Sequence, residues 1–254
     1  MSSFGGGLMP NISPDKDSLL AYTDPDTNYG AHTDIGPVIM YAAGEKVYLY
    51  RAIMEFDVSE LVGETIVSAQ LNYIVTAYYG AGDGTVYRCT RPGDWPEDEV
   101  TWNEYAGGQS WTAGGGDFDE VTPTPVGFAV QNLGSRMLTG LKGFVDDAIA
   151  NRNNILSFIM KLDDENPEVN VGMLFHSRDT AAPANRPYLV VAIEGETRRF
   201  GAVPSHELVP NDFGADERRF GAVPSDEQVA ADFSADERRF GSVPTDESVP
   251  DDLT

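Results

Sequence analysis

The sequence predicts an all-β fold: a two-sheet antiparallel, jelly-roll-like sandwich with one short amphipathic helix, followed by an extended, repeat-containing C-terminal tail. Three observations carry this. From about Ser18 to Ala192, short runs rich in Val, Ile, Tyr and Thr alternate with clusters of Gly, Asp, Asn and Pro, the pattern of many strands punctuated by turns. In "IVSAQLNYIVTA", Val67, Ala69, Leu71, Tyr73 and Val75 share one face at period two, as a half-buried strand requires. After "VVAIEGE" a unit of twenty residues begins to repeat.

Taken in order, residues 1–16 are rich in Gly, Pro and Ser and read as an N-terminal arm; residues 17–195 form the sandwich and 196–254 the tail. Strands are expected over 46–58, 65–79, 85–91, 154–162, 171–177 and 186–194. "LTGLKGFVDDAIANR" (138–152) breaks the pattern: Leu138, Leu141, Val145 and Ile149 lie at helical spacing, with Asn151 or Asn153 to end the helix, which would cap one end of the sandwich. Between Glu104 and Ser135 the chain is rich in Gly, Thr and Pro, long for a hairpin loop and so expected to be functional or mobile.

Composition narrows the function. Of 254 residues 41% are hydrophobic, enough for a core, and 17 basic side chains face 41 acidic ones for a formal charge of −24. Such a surface repels phosphate backbones, so nucleic acid is set aside as a ligand. Nothing approaches the apolar length of a membrane-spanning helix, and the N-terminus lacks the basic and apolar regions of a secretory signal. Cys89, the single cysteine, excludes an internal disulfide and reads as a small buried filler.

Six stretches in a fixed order carry a family likeness: Asn28-Tyr29-Gly30, "RAIMEFDVSEL" (51–61) running into "TIVSAQLNYIV", "DWPEDEVTWNE" (94–104), the helix, "HSRD" (176–179) and "RPYLVV" (186–191). Over residues 17–194 the chain resembles the DNRLRE domain family, jelly-roll-like modules related to carbohydrate-binding modules. The resemblance implies a two-sheet sandwich without catalytic machinery, of the kind found in adhesive or accessory modules of surface proteins and in some phage structural proteins.

The residues themselves also argue against an enzyme. The G-x-S-x-G, H-E-x-x-H and P-loop patterns are absent from the sequence. His176 ends a strand and reads as structural, His206 is replaced by Asp226 and Asp246 in the neighbouring repeats, and His32 sits in a loop near Asp24, Asp26 and Asp34. No organic cofactor is expected. In "TDPDTNYG", Asp24, Asp26 and Asn28 alternate; oxygen ligands at that spacing suit a structural calcium, and the same residues also build turns by bonding their own backbone. Among the tryptophans, Trp102 reads as core and Trp95 as a loop aromatic, while Trp111 in "GGQSWTAGGG" is the candidate for an exposed glycan contact.

The tail holds two full units and one truncated unit, each with an Arg pair, Phe-Gly, Val-Pro and a later large apolar residue. The recurring anchors are Arg198, Arg199 and Phe200; Arg218, Arg219 and Phe220; Arg238, Arg239 and Phe240; and Phe213, Phe233 and Leu253. Ser225 with Gln228 and Ser234 with Glu237 fit capping boxes. About four large apolar groups per unit are too few to offset an ordering cost of roughly 1–2 kcal/mol per residue. The register therefore suggests docking on equivalent sites of repeated protein subunits, with Arg and Phe as anchors and avidity from linkage. The expected role is a non-catalytic decoration, cement or fibre-like component of a phage virion, its partners capsid or tail proteins, with self-association into a homo-oligomer left open. The alternative is a carbohydrate-binding adhesive module of a secreted or cell-surface protein.

Overall fold

The computed structural model describes residues 10–194; the tail repeats, and all of the anchors named in them, lie outside the described residues. The strands are β1 (Asn11–Ile12), β2 (Lys16–Ala21), β3 (Asp34–Ile35), β4 (Val38–Ala42), β5 (Glu45–Asp57), β6 (Ile66–Gly80), β7 (Asp83–Cys89), β8 (Glu104–Ala106), β9 (Gln109–Ser110), β10 (Phe118–Asp119), β11 (Val126–Ala129) and β12 (Gly134–Thr139). Helix α1 (Lys142–Asn151) then precedes β13 (Ile155–Leu162), β14 (Val171–His176) and β15 (Tyr188–Ile193). The six expected strands are β5, β6, β7, β13, β14 and β15.

All strand pairs are antiparallel; β8 and β9 form a small hairpin of their own, and the other strands form two layers. In one, β6 carries β12 on one edge and β15 and β14 on the other, with β1 added to β15 and β3 to β14. In the second, β5 lies between β13 and the pair β2 and β4, and β7 extends the layer to β10 and β11. Strand β4 also pairs with β14, so it joins the layers along one edge. Asn11 and Ile12 pair with β15, so the chain enters the sheet before residue 17, where the arm was expected to end.

Between the layers lies the main core. Leu71, Tyr73, Val75, Met173, Phe175, Leu189 and Val191 from the first layer meet Leu19, Ala52, Met54, Phe56, Phe158 and Met160 from the second. One residue of the predicted stripe departs from it. Val67 is 57% exposed while Ile66 is buried, because Ala192 pairs with Ser68 and Ile193 with Ile66, leaving Val67 as the extra residue of a bulge.

The helix begins later than its spacing predicts. Leu138 is the last buried residue of β12, Gly140 turns the chain with φ +93°, and α1 buries Phe144, Val145 and Ala148 with Ile149 half-buried. It packs on β6 and β13, one strand from each layer, and so closes one end of the sandwich. It ends at Asn151, after which Asn153 and Asn154 take positive φ, a conformation Asn tolerates better than most residues.

A second core covers the outer face of β5 and β13, and the Gly-rich connection builds it. Ile53 and Ile159 point outward into a cluster with Leu20, Cys89, Trp95, Val100, Trp102 and Trp111. Arg51 donates from Nε and Nη2 to both oxygens of Glu165 at 2.8 Å and from Nη1 to the Gly115 carbonyl at 2.9 Å, with Trp102 stacked 4.8 Å away. Glu55, 3% exposed, accepts from the Gly93 N–H and pairs with Lys16 at 2.6 Å. Charges this buried are favourable only when paired and hydrogen-bonded, and these are. The stretch expected to be a long mobile or functional loop is therefore packed: its first part covers the outer face of β5 and β13 as a third layer, and its remainder runs as β10 and β11 at the edge of the second layer before β12 joins the first.

Candidate functional site at the open end of the sandwich

Strand β5 starts at the end opposite α1, since the helix lies at its far terminus, where Val58 N–H bonds the Asn154 carbonyl. Along the inner face of β5, Ala52, Met54 and Phe56 enter the core, and Tyr50 and then Tyr48 continue the same alternation outward. Tyr50 is half-buried against the core, Tyr48 is 40% exposed, and their ring centroids lie 5.4 Å apart. Tyr29, from the loop after β2, packs on the same core and donates its hydroxyl to Asp24 Oδ2 at 3.3 Å; His32 meets it edge-on at 6.1 Å. Burial, with the phenols of Tyr29 and Tyr48, the Asp24 carboxylate and the Tyr79 phenol, holds the Tyr50 hydroxyl well above its ordinary range. Burial followed by Asp24 does the same for Tyr29. Tyr29 and Tyr50 are therefore protonated at neutral pH. The result is a half-exposed aromatic mouth whose rim offers neutral hydroxyls and one carboxylate, which is chemistry suited to stacking on a polyol and bonding its hydroxyls.

The sequence-predicted site residues fall elsewhere. Trp111 is a correction: it is 5% exposed, its indole N–H donates to the Thr101 carbonyl at 3.0 Å and Tyr105 covers it at 5.6 Å, so no ring face is offered. Trp102 is core as expected, and Trp95 is a loop aromatic that is nonetheless fully buried, its N–H bonded to Ser157. Cys89 is buried, which pushes its thiol up to about 12. Asp24, Asp26 and Asn28 each have a hydrogen-bond partner of their own. Asp26 accepts from Asn103 at 2.7 Å and Asp24 from Tyr29, while Asn28 donates to the carbonyls of Glu97 and Val100 at 2.8 and 2.7 Å. His32 Nδ1 lies 2.6 Å from the Asp34 carbonyl, and His176 Nδ1 is 3.4 Å from Asp34 Oδ1. No helix among the described residues is long and apolar enough to cross a membrane.

Sequence reasoning missed the tyrosines of the mouth. The available signal was the alternation "YLYRAIMEF", which places Tyr48 and Tyr50 on the face of Ala52 and Met54 but beyond the core. A depression of about 150 Å³ lies over the outer face of β6, β12 and β15 beside Asn72, Arg136, Arg186 and Tyr188. There Arg136 spends its guanidinium on the carbonyls of Asn132, Leu133 and Ser135 at 2.8–3.0 Å, bracing a turn.

Residues 10–110 match the family model of Carbohydrate-binding module family 96. Among curated proteins none matches the chain. The matched stretch includes Tyr29, Tyr48, Tyr50 and Tyr79. The expected relation to carbohydrate-binding modules is borne out over that stretch; the DNRLRE name is not what matches.

Proposed function

We propose that the sandwich is a non-catalytic carbohydrate-binding module that takes a glycan at its open end. The likeness of residues 10–110 to a carbohydrate-binding family carries this reading, because Tyr29, Tyr48 and Tyr50 of the mouth fall inside that stretch. A sugar ring would stack on Tyr48, the most exposed of the phenols described there, with Asp24 and the Tyr29 hydroxyl as hydrogen-bond partners for its hydroxyls. Such a module works where glycans are displayed, at cell surfaces or outside cells. The virion reading draws on the tail register, and the family likeness favours the glycan reading over it. The repeats with their Arg and Phe anchors retain a proposed role as a tether to a repetitive partner.

The test is a glycan array probed with the full chain, followed by affinity measurements on its best ligand. Tyr48→Ala is expected to weaken binding at least tenfold, about 1.4 kcal/mol, with Tyr188→Ala unchanged. An array without hits, or equal binding by Tyr48→Ala, overturns the reading.

A further inference from the structure

The geometry points to a divalent-cation site, best suited to Ca²⁺, formed by Asp17, Glu97 and Asp179, away from the residues whose spacing suggested one. Each offers a carboxylate oxygen, and the three oxygens lie within 4.8 Å of one another. They come from three remote parts of the chain: β2, the loop before Trp102, and the turn after β14. Backbone contacts lock them together. The Asp17 N–H donates to Glu97 Oε1 at 2.8 Å, the Arg178 N–H to Asp17 Oδ2 at 2.7 Å, and the Asp179 N–H to Ser177 Oγ at 3.0 Å. Asn28 fixes the Glu97 backbone through its carbonyl, and Gly30 lies so close that a Cβ there would fall 2.0 Å from that oxygen. "NYG", "DWPEDE" and "HSRD" thus converge here.

What raises this above an acidic cluster is Asp17. Its side chain is fully buried, and Oδ1 has no hydrogen-bond partner among the described residues. A buried carboxylate oxygen left unpaired is strongly unfavourable unless something positive meets it. The nearby cation is Arg178, whose Nη1 is 3.4 Å from Glu97 Oε2; with all three carboxyls ionised, one guanidinium leaves two negative charges, which a divalent ion matches. Burial first, and then the neighbouring Glu97 and Asp179, push the Asp17 carboxyl up to about 7, against the pull of the Arg178 N–H; burial also raises Glu97. A cleft of about 230 Å³, bordered by Asn28, Gly30, Glu97, Asp98 and Asp179, opens onto the cluster and supplies room for water ligands. Oxygens on opposite sides of Ca²⁺ stand about 4.6–5.2 Å apart, and around Mg²⁺ only about 4.0–4.2 Å. Separations of up to 4.8 Å stay within calcium's span, and calcium, unlike magnesium, accepts irregular oxygen geometry.

The test is calorimetric titration of the full, chelator-stripped chain with CaCl₂ at physiological ionic strength, paired with melting curves in EDTA and in millimolar Ca²⁺. One saturable ion per chain and a melting rise on the order of 5 °C are expected. Asp179→Asn should weaken binding at least tenfold. Asp17→Asn should melt no lower than wild type in EDTA, since it removes the buried charge, yet gain nothing from calcium. Asp24→Asn with Asp26→Asn should respond like wild type. Wild type without heat or melting shift in millimolar Ca²⁺ overturns the assignment. So does a response that survives in Asp17→Asn and Asp179→Asn, or one lost instead in the Asp24 and Asp26 pair.

Discussion

Single side chains do much of the fixing in this molecule, and several of them are charged. Arg88, 8% exposed, pairs with Asp119, bonds the Thr122 carbonyl at 2.6 Å and lies 3.5 Å from Asp147 on α1, tying β7, the loop after β10 and the helix together. Asp119 is held below the usual carboxylate range by the Thr122 and Val121 N–H groups at 3.0 and 2.8 Å, and then by Arg88. A carboxylate with a lowered folded-state pKa stabilises the fold above its unfolded value, near pH 4, and loses that contribution as pH falls through the lowered value. Asp57, lowered by the Ser59 N–H, adds the same dependence. Urea midpoints of wild type should therefore fall between about pH 4 and pH 2. Asp119→Asn should have a lower midpoint at pH 7 and a flatter slope in that acid window. A variant as steep as wild type would remove Asp119 from the account.

At the scale of elements, the Gly-rich connection is the clearest case of sequence meaning decided at a distance. Gly115 has φ +85°, and a Cβ there would lie 2.6 Å from Arg51 Nη1 and 2.7 Å from Trp102. Gly115→Val should cost about 2–3 kcal/mol from backbone strain and the displaced Arg51 contact, seen as a melting loss of roughly 4–12 °C. An unchanged melting point would mean that this segment does not pack as described. The six long strands were legible because period-two alternation is local, and so was the capping helix apart from its first turn. The bulge at Val67 was not, because it is set by pairing with β15. The third layer was not, because Arg51 and Glu55 recruit it from strand positions far from it in sequence. Trp111 looked exposed among glycines, yet its indole N–H turns in to the Thr101 carbonyl and Tyr105 covers its ring. Asp17 gave no local sign at all: its partners are 80 and 161 positions away.

For the whole molecule, the helix-closed end and the tyrosine-lined end give the sandwich two different faces, and the binding role is assigned to the second. The acidic surface suits this division: it disfavours phosphate ligands while Ca²⁺ at Asp17, Glu97 and Asp179 would relieve the most crowded carboxylates. The most direct test of the glycan reading is NMR chemical-shift mapping of the full chain during titration with the best array ligand. The expected result is saturable perturbation centred on Tyr29, Tyr48, Tyr50 and Tyr79, with the outer face around Asn72 and Tyr188 unaffected. Perturbation centred on that outer face, with the tyrosines unmoved, would contradict it.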